Sequence, residues 1–319
     1  MKKEKILIIG ANGQIGSVLT AVLQKRYGTD QVIPSDIRIP EQSAALFERL
    51  DVLDKSQLYE LSHKHKITQI YHLAAILSAK GELNPKWAWD VNMNGLFNVL
   101  ELAKEKKLKL FFPSSIAVFG PEAPKEQTPQ FAPLTPKTVY GISKASGESW
   151  CQYYHDKYEV DVRSLRYPGI IGYQSMPGGG TTDYAVEIYH HALKEKRYTS
   201  FINRDTQLPM IYMEDAIRAT VELMEAKAEQ IQVRTSYNLA GMSFSPKQIA
   251  QAIQKHIPGF QIEYAPDFRE AIAQSWPSSI DDRYAQEDWG WQPQYKLENM
   301  TADMLHHLRA MHSSPQVVQ

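Results

Sequence analysis

The chain has 319 residues, of which 43% are hydrophobic and 22% are charged, and its formal net charge is −1. Such a composition is typical of a globular protein with a sizeable core, and it lacks the clustered basic excess that nucleic acids or anionic membranes attract. The single cysteine, Cys151, excludes an internal disulfide framework and favours a reducing compartment. Because no apolar stretch approaches the roughly 20 residues of a membrane span, we expect a cytosolic protein without a membrane or nucleic-acid partner.

Five short apolar segments alternate with helical patterns in the first half of the chain. These predicted strands are 5–9, 31–36, 69–73, 109–114 and 160–166, and the clearest helical patterns are 84–106 and 139–158. Strands that alternate with crossover helices favour an α/β fold with a doubly wound, Rossmann-like parallel sheet. Further along, the pattern predicts helices at 182–196 and 213–228 and a strand at 208–212 that returns to the sheet.

A glycine-rich turn connects the first predicted strand to the first predicted helix. Gly10, Gly13 and Gly16 follow one another at a spacing of three residues. Such a turn lets the backbone approach a pyrophosphate, to which the helix amino terminus presents N–H donors and a positive dipole end. Asp36, at the end of the second strand, is placed to bind the adenosine ribose hydroxyls, which favours NAD over NADP. Arg38 keeps NADP open, and a turn without any ligand is the alternative.

Tyr140 and Lys144 are the candidate catalytic pair. Residues four apart lie on the same face of a helix, so this spacing would hold the ammonium near the phenol. A tyrosine has an ordinary pKa of about 10, and a nearby cation lowers that pKa by favouring the phenolate. We therefore predict that Tyr140 acts as a base near neutral pH. Tyr153 and Lys157 repeat the spacing thirteen residues later, so context must decide between the two pairs.

Ser114 and Ser115 end the fourth predicted strand, where a side chain can project into a cleft. A hydroxyl there could orient a substrate oxygen toward Tyr140, although simple capping is the alternative. Tyr140 follows a loop rich in proline and therefore falls near the start of its helix, at the cleft. Tyr153 lies more than three turns further along, so we expect a core or interface role for it. The context favours Tyr140.

The regular alternation of strand and helix patterns ends after Pro168. Beyond it, a Gly178–Gly180 run and scattered prolines separate short elements. We expect a dinucleotide-binding domain comprising residues 1–172 and about 208–243. A smaller, discontinuous α/β substrate domain would comprise about 173–207 and 244–319. It would pack across the carboxyl ends of the strands, where such folds bind ligands.

Taken together, these residues resemble the extended short-chain dehydrogenase/reductase superfamily, which includes nucleotide-sugar epimerases and dehydratases. The motifs that carry the resemblance are Gly10/Gly13/Gly16, Asp36, Asp51-Val52, His72-Leu73-Ala74-Ala75, Asn92, the 114–120 segment, Tyr140/Lys144 and the 166–169 segment. The resemblance implies NAD as cofactor, and it implies that Asn92 belongs to a water-linked proton relay that reaches Lys144. The residues expected around NAD are Gly10, Asn12, Gly13, Gln14, Ile15, Gly16, Asp36, Ile37, Arg38, Asp51, Val52, Leu73, Ala74, Ala75, Asn92, Ser114, Tyr140, Lys144, Tyr167, Pro168 and Ile170.

Several segments point away from sugar nucleotides. The dehydratases of this group carry Asp-Glu soon after the active-site hydroxyl, whereas Ile116-Ala117-Val118 follows Ser115 here. The 177–185 run lacks the basic residues that would clamp a diphosphate, and it is similar to the run found in short-chain-type L-threonine 3-dehydrogenases. The segments 76–82, 204–205, 275–277 and 289–291 extend that resemblance to about residue 311.

This closer resemblance implies that L-threonine is oxidised at its 3-hydroxyl to 2-amino-3-ketobutyrate, with Tyr140 as the base and NAD as the hydride acceptor. A small zwitterion needs short hydrogen-bond donors and a closed pocket. The expected substrate-binding residues are Ser78, Ser115, Tyr140, Gly180, Thr181, Thr182 and Trp276. Two alternatives remain at this point: the glycine-threonine run caps the next helix through Thr181 or Thr182, and Trp276 serves packing alone.

Two other functions remain open from the sequence. One is an NAD-dependent nucleotide-sugar epimerase, and the other is a catalytically silent NAD-sensing or scaffolding protein. The second is disfavoured because a binding module needs no activated phenol. The helical faces of 84–106 and 139–158 resemble the dimer-forming pair of the superfamily, which implies a homodimer. No cluster of metal-ligating residues has the spacing of a metal site, so we expect no metal.

Overall fold

The computed structural model describes residues 4–41 and 46–313. The strands are β1 Ile6–Ile9, β2 Val32–Asp36, β3 Glu48–Arg49, β4 Gln69–His72, β5 Lys109–Ser115, β6 Val162–Tyr167, β7 Gly169–Ile171, β8 Arg197–Ser200, β9 Leu208–Tyr212, β10 Tyr237–Asn238, β11 Met242–Phe244 and β12 Gln261–Tyr264. The helices are α1 Gln14–Tyr27, α2 Lys55–His65, α3 Ser78–Leu83, α4 Pro85–Trp89, α5 Gly95–Lys106, α6 Val139–Tyr158, α7 Tyr184–Lys194, α8 Met213–Glu225, α9 Pro246–Gln254, α10 Phe268–Ser275, α11 Arg283–Trp289 and α12 Leu297–Ser313.

A seven-stranded parallel sheet forms the centre of the molecule, in the order β10-β6-β5-β4-β1-β2-β3. The central strand β1 is buried at all four positions, because helices cover both faces of a doubly wound sheet. The predicted α/β class with a Rossmann-like sheet is therefore confirmed. Since the strands run in the same direction, the residues that follow β1, β2, β4, β5 and β6 meet along one edge.

The prediction that the 208–212 strand returns to this sheet is wrong. β9 instead pairs with β7 in parallel and with β11 in antiparallel orientation, in a separate three-stranded sheet. Pro168 lies between β6 and β7 and has no N–H to donate, so the main ladder stops there. The seventh strand of the main sheet is β10, which has only two residues and therefore no periodicity that a sequence reading could detect.

Two of the three large apolar cores of the described residues lie on either side of this change of sheet, and the third packs α2, α5 and α6 against the opposite face of the main sheet. One packs α1 and α8 against the main sheet, and includes Trp291 with no exposed surface. The other gathers apolar side chains of α7, α9 and α12, and Trp276 packs against its edge. The ends of the predicted domains, at residues 1 and 319, lie outside the described residues, and the domain boundaries stay a prediction. Across 4–41 and 46–313, no helix has both the length and the apolar character that a bilayer span needs.

Candidate active site

The glycine turn is as tight as its spacing predicts. Gly10 has a φ of +91°, which favours glycine, and a side chain on it would lie 2.7 Å from the backbone nitrogen of Ala74. A Cβ on Gly16 would overlap the Gly10 carbonyl oxygen and lie 2.9 Å from the Ala11 Cα. Gly13 precedes the first turn of α1, so the helix amino terminus opens directly onto this bend. These glycines leave the backbone open to a pyrophosphate, and the site fits the diphosphate of a dinucleotide.

Asp36 lies beside the glycine turn, at the end of β2. Its Oδ2 accepts a hydrogen bond from the Asn12 backbone N–H at 3.0 Å, and the Asn12 side chain donates to the Arg38 carbonyl oxygen at 2.7 Å. The structure therefore brings these three residues together, with Ile37 exposed between them. A carboxylate at this position suits ribose hydroxyls, since it accepts hydrogen bonds and repels a phosphate.

Two further groups of expected cofactor residues lie along the same edge. Leu73, Ala74 and Ala75 follow β4 and are half-buried, and the Leu73 N–H donates to the Ile9 carbonyl oxygen at 2.8 Å. Asp51 and Val52 follow β3. Asp51 is exposed and accepts a hydrogen bond from the Leu53 N–H at 2.9 Å, whereas Val52 is buried beneath α5. The expected cofactor residues thus follow one another along this sheet edge, from the glycine turn to the segment after β3.

Tyr140 and Ser115 meet where α6 begins. Thr138 caps the helix, because its Oγ1 accepts from the Gly141 N–H at 3.0 Å. A side chain on Gly141 would overlap the Ala117 carbonyl oxygen, so glycine there lets α6 approach the turn that follows Ser115. This approach places the Ser115 hydroxyl close enough to the Tyr140 phenol to lower its pKa. The fold thus brings the proposed base, Tyr140, beside the serine proposed to orient a substrate oxygen toward it.

Lys144 is buried one helical turn below Tyr140. Its Nζ donates to the Pro113 carbonyl oxygen at 2.7 Å, and lies 4.7 Å from the ring centre of Phe112 and 5.5 Å from that of Tyr140. Burial lowers the pKa of Lys144 to about 8, because the charged form loses its hydration. The ammonium is held by a carbonyl group and an aromatic face at the back of the site.

The expected lowering of the Tyr140 pKa is wrong for the chain by itself. Burial raises the pKa of Tyr140 to about 12, and the hydrogen bond from Ser115 offsets only part of that rise. The expected effect occurs at the other pair: Lys157 donates to the Tyr153 hydroxyl at 2.7 Å and lowers the pKa of Tyr153, which is exposed. The Lys157 ammonium therefore lowers the pKa of the exposed Tyr153 phenol, whereas desolvation dominates the pKa of Tyr140.

Ser114, one of the expected cofactor residues, uses its side chain within the chain. Successive side chains of a strand point to opposite faces, and the Ser114 hydroxyl donates to Glu148 Oε1 at 2.5 Å. Glu148 forms a buried ion pair with Arg166 at 2.7 Å. Sequence reasoning missed Glu148, although its position four residues after Lys144 places it on the same face of α6. Any contact of Ser114 with the cofactor would have to come from its backbone.

Asn92 lies in an irregular part of the chain that the sequence reading missed. The predicted 84–106 helix is divided into α4, a π-helical turn at Asp90–Asn94, and α5. The Asn92 Oδ1 accepts from the Ile76 N–H at 2.7 Å, and its Nδ2 donates to the Ile76 carbonyl oxygen and to Ser143 Oγ, both at 3.1 Å. Such turns are frequent at functional sites. Asn92 thus connects the segment after β4 with the residue that precedes Lys144.

The remaining cofactor candidates follow β6. Tyr167 pairs with Ser115 in the sheet register, but its hydroxyl is buried and hydrogen-bonded to Thr220. Burial also raises the pKa of Tyr167 well above its ordinary value. Only the backbone of Tyr167 and Pro168 therefore remains for the cleft, whereas Ile170 is half-buried in β7.

The loop before α7 carries three expected substrate residues. Thr181 is buried. The methyl group of Thr182 packs so closely on Gly169 that a Cβ atom on that glycine would lie only 2.7 Å from it. Asp183, rather than either threonine, is the N-cap residue of α7, and its Oδ2 accepts from the N–H groups of Gly179 and Gly180, both at 2.7 Å. The expected Gly180 donor is therefore satisfied within the chain.

Ser78 and Trp276 complete the expected substrate set from two separate elements. Ser78 is the first residue of α3 and is half-buried. Trp276 follows α10 and is also half-buried, and it packs against two apolar clusters. One of these clusters contains Ile116, the residue after Ser115. This packing places Trp276 on the side of the cleft that Ser115 borders.

The NAD dependent epimerase/dehydratase family model matches residues 6–240. The chain belongs to this family. Its cofactor is NAD. An uncharacterized epimerase/dehydratase of Staphylococcus saprophyticus is 49% identical over 307 residues, which cover 95% of this chain and 96% of that relative.

Solved structures with high similarity are named as threonine dehydrogenases. The holo form of a GalE-like L-threonine dehydrogenase from Cupriavidus necator is 56% identical, with a TM-score of 0.93 over 95% of this chain and 99% of its own. A monomeric L-threonine 3-dehydrogenase from a metagenome is 49% identical in its apo form, with a TM-score of 0.94 over 97% of this chain and all (100%) of its own.

Proposed function

We propose that this chain oxidises the 3-hydroxyl of L-threonine to 2-amino-3-ketobutyrate with NAD. The observation that carries the proposal is the placement of Ser115 beside Tyr140, with Lys144 behind them and the glycine turn on the same sheet edge. The similarity to threonine dehydrogenases supports the choice of substrate. A nucleotide-sugar epimerase would use the same acid–base residues, so the substrate must be tested directly.

The cofactor would be held by the glycine turn, by Asp36 at its ribose, and by Lys144 beside the nicotinamide ribose. NAD, when bound, supplies the hydride acceptor and a positively charged nicotinamide ring. Ser115 holds the substrate hydroxyl oxygen, and Tyr140 as phenolate takes the proton from that hydroxyl. Because burial raises the pKa of Tyr140 to about 12, the phenolate needs positive charge close to it. Lys144 contributes part of that charge.

The substrate pocket would lie between the loop before α7, α3 and Trp276. Thr182 packs against Gly169, the first residue of β7. Gly169 lies two residues after Tyr167, which pairs with Ser115 in the sheet. Ser78 and Thr182 supply short hydroxyl groups, and Trp276 supplies an apolar wall for the substrate methyl group. These groups suit a small zwitterion with a carboxylate, an ammonium and one methyl group.

We further propose a cytosolic homodimer that forms through α4 and α6. Trp87, Trp89, Trp150 and Tyr153 on these helices are between 38% and 45% exposed, and such aromatic residues are enriched in interfaces. Sedimentation velocity should therefore show a species of two chains, each of 36.4 kDa. A species of one chain at micromolar concentration would contradict the dimer.

The function is tested by absorbance at 340 nm with NAD and four compounds: L-threonine, L-serine, L-allo-threonine and UDP-galactose. We expect net NADH formation with L-threonine and none with UDP-galactose, since an epimerase returns the hydride within each cycle. Absence of NADH with L-threonine would contradict the substrate assignment.

The catalytic base is tested with a matched pair of variants on one helix. Tyr140→Phe should lower kcat by at least roughly a hundredfold, the contribution typical of general base catalysis, while NAD binding is kept. Tyr153→Phe removes the phenol of the repeated pair and should keep the wild-type kcat. Substantial turnover by Tyr140→Phe would exclude Tyr140 as the base.

A further inference from the structure

Two segments that are far apart in the chain are joined beside the active site. Residues 125–128 belong to the loop before α6, and residues 276–281 follow α10. Thr128 pairs with Ile280 in a parallel bridge, and the Thr128 N–H donates to the Ser279 carbonyl oxygen at 3.0 Å. The Lys125 carbonyl oxygen accepts from the Ser278 N–H at 2.8 Å. The loop that leads to the catalytic helix is thus tied to the segment that carries Trp276.

The side chain of Lys125 adds a charged contact to this junction. Its Nζ donates to the Trp276 carbonyl oxygen at 2.8 Å and to the Gln274 carbonyl oxygen. Both carbonyl groups lie at the carboxyl end of α10, where the last carbonyls have no partner within the helix and the dipole end is negative. An ammonium at this place satisfies two acceptors and interacts favourably with the dipole.

Trp276 is the point at which the junction reaches the active site. Its side chain packs against the core formed by α7, α9 and α12, and also against a small cluster that includes Ile116 and Val118. Ile116 directly follows Ser115 and Val118 lies two residues further on, and Ala145 of the same cluster follows Lys144. The Trp276 side chain therefore belongs to the same apolar cluster as the residues that follow Ser115.

We propose that Lys125 is a positioning residue. It fixes the backbone of Trp276, and it thereby holds the Trp276 side chain, which forms the apolar wall of the substrate pocket, close to the turn that follows Ser115. Among the described residues, Lys125 hydrogen-bonds to neither Ser115 nor Tyr140, and it acts through Trp276. The proposal rests on the proposed function for the identity of the substrate. The position of the Trp276 side chain does not depend on which substrate binds.

The test compares Lys125→Met, which removes the ammonium, with Lys125→Arg, which keeps two donors for the two carbonyl groups. Lys255→Met is the matched control, because it removes an exposed ammonium whose partner is Glu298 at 2.7 Å. We expect Lys125→Met to raise the KM for L-threonine roughly tenfold with kcat within about twofold, the pattern of a lost uniform binding contact. Lys125→Arg should restore most of the wild-type KM, and Lys255→Met should leave it unchanged. The dissociation constant for NAD should stay the same in all three variants.

Amide hydrogen exchange of the substrate-free protein gives an independent readout. The amide exchange rate at 276–281 should be higher in Lys125→Met than in the wild type. In Lys125→Arg it should return to the wild-type rate. If the wild type fails to oxidise L-threonine, the proposed function fails, while this exchange result still decides the role of Lys125. Unchanged exchange at 276–281, or a lowered melting temperature with an unchanged KM, would overturn the proposal.

Discussion

Glu148 of α6 and Arg166 of β6 form a buried ion pair. Neither residue is more than 3% exposed, and the guanidinium donates to both carboxylate oxygens, at 2.9 Å from Nε and 2.7 Å from the terminal nitrogen. Ser114 donates a further hydrogen bond to the same carboxylate at 2.5 Å. The substitution Glu148→Gln keeps the shape of the side chain and removes its charge, so Arg166 is left as an uncompensated buried cation.

The size of the effect follows from what remains around the guanidinium. Arg166 keeps only neutral acceptors, the Gln130 carbonyl oxygen at 2.8 Å and Asn238 Oδ1 at 3.0 Å. Removal of one partner of a buried pair costs about 3–5 kcal/mol of unfolding free energy. For a chain of this size that corresponds to a fall in Tm on the order of 10 °C.

Urea and thermal unfolding, followed by circular dichroism, measure this cost. The matched control is Glu222→Gln, whose partner Arg218 lies at 3.0 Å on the surface, and we expect a loss below about 1 kcal/mol for it. The double variant Glu148→Leu/Arg166→Met contains no buried charge and should be more stable than Glu148→Gln alone. A Tm for Glu148→Gln within about 2 °C of the wild type would refute the reasoning, since it corresponds to less than about 1 kcal/mol.

Two further predictions concern the glycine turn and a buried histidine. Gly16→Ala should weaken NAD binding at least roughly tenfold in calorimetric titration, because the added Cβ would lie 2.9 Å from the Ala11 Cα. Gly178→Ala is the control, since a Cβ on Gly178 would have no atom within 4 Å, and this variant should bind NAD normally. Burial lowers the pKa of His72 to about 3, so between about pH 6.5 and pH 3 the unfolded chain binds a proton that the folded chain does not. The unfolding free energy should therefore fall by up to about 1.4 kcal/mol per pH unit as the pH drops from 6.5, and His72→Phe should flatten that slope between about pH 6.5 and 5. The same slope in His72→Phe and in the wild type would contradict this assignment.

The local patterns of the chain were sufficient to predict most elements of the main sheet. β1 and β4 were predicted within one residue at each end, and α6 was predicted with its observed bounds. Such segments are readable because a parallel strand buried on both faces is a continuous apolar run. β3 and β10 have two residues each, so their pairing depends on neighbours that are distant in the chain.

The site shows the same division between local and tertiary information. The spacing of Tyr140 and Lys144 is a local property of a helix, and it occurs twice in α6. Glu148 and Lys125 were not singled out, because a buried ion pair and a helix-end contact are recognised only when strands and loops far apart in the chain meet. The Gly180 donor was assigned to substrate because the sequence does not reveal that Asp183 turns back onto it.

The sequence by itself determined the fold class, the family, the NAD cradle and the identity of the catalytic candidates, since each depends on residue type and short-range spacing. The tertiary structure decided the direction in which the pKa of each tyrosine is shifted. It places Tyr140 where burial raises its pKa to about 12, and it leaves Tyr153 exposed with a lowered pKa. The same five-residue spacing therefore has opposite electrostatic results, because the free energy of a charge depends on the water and the partners that the fold leaves around it.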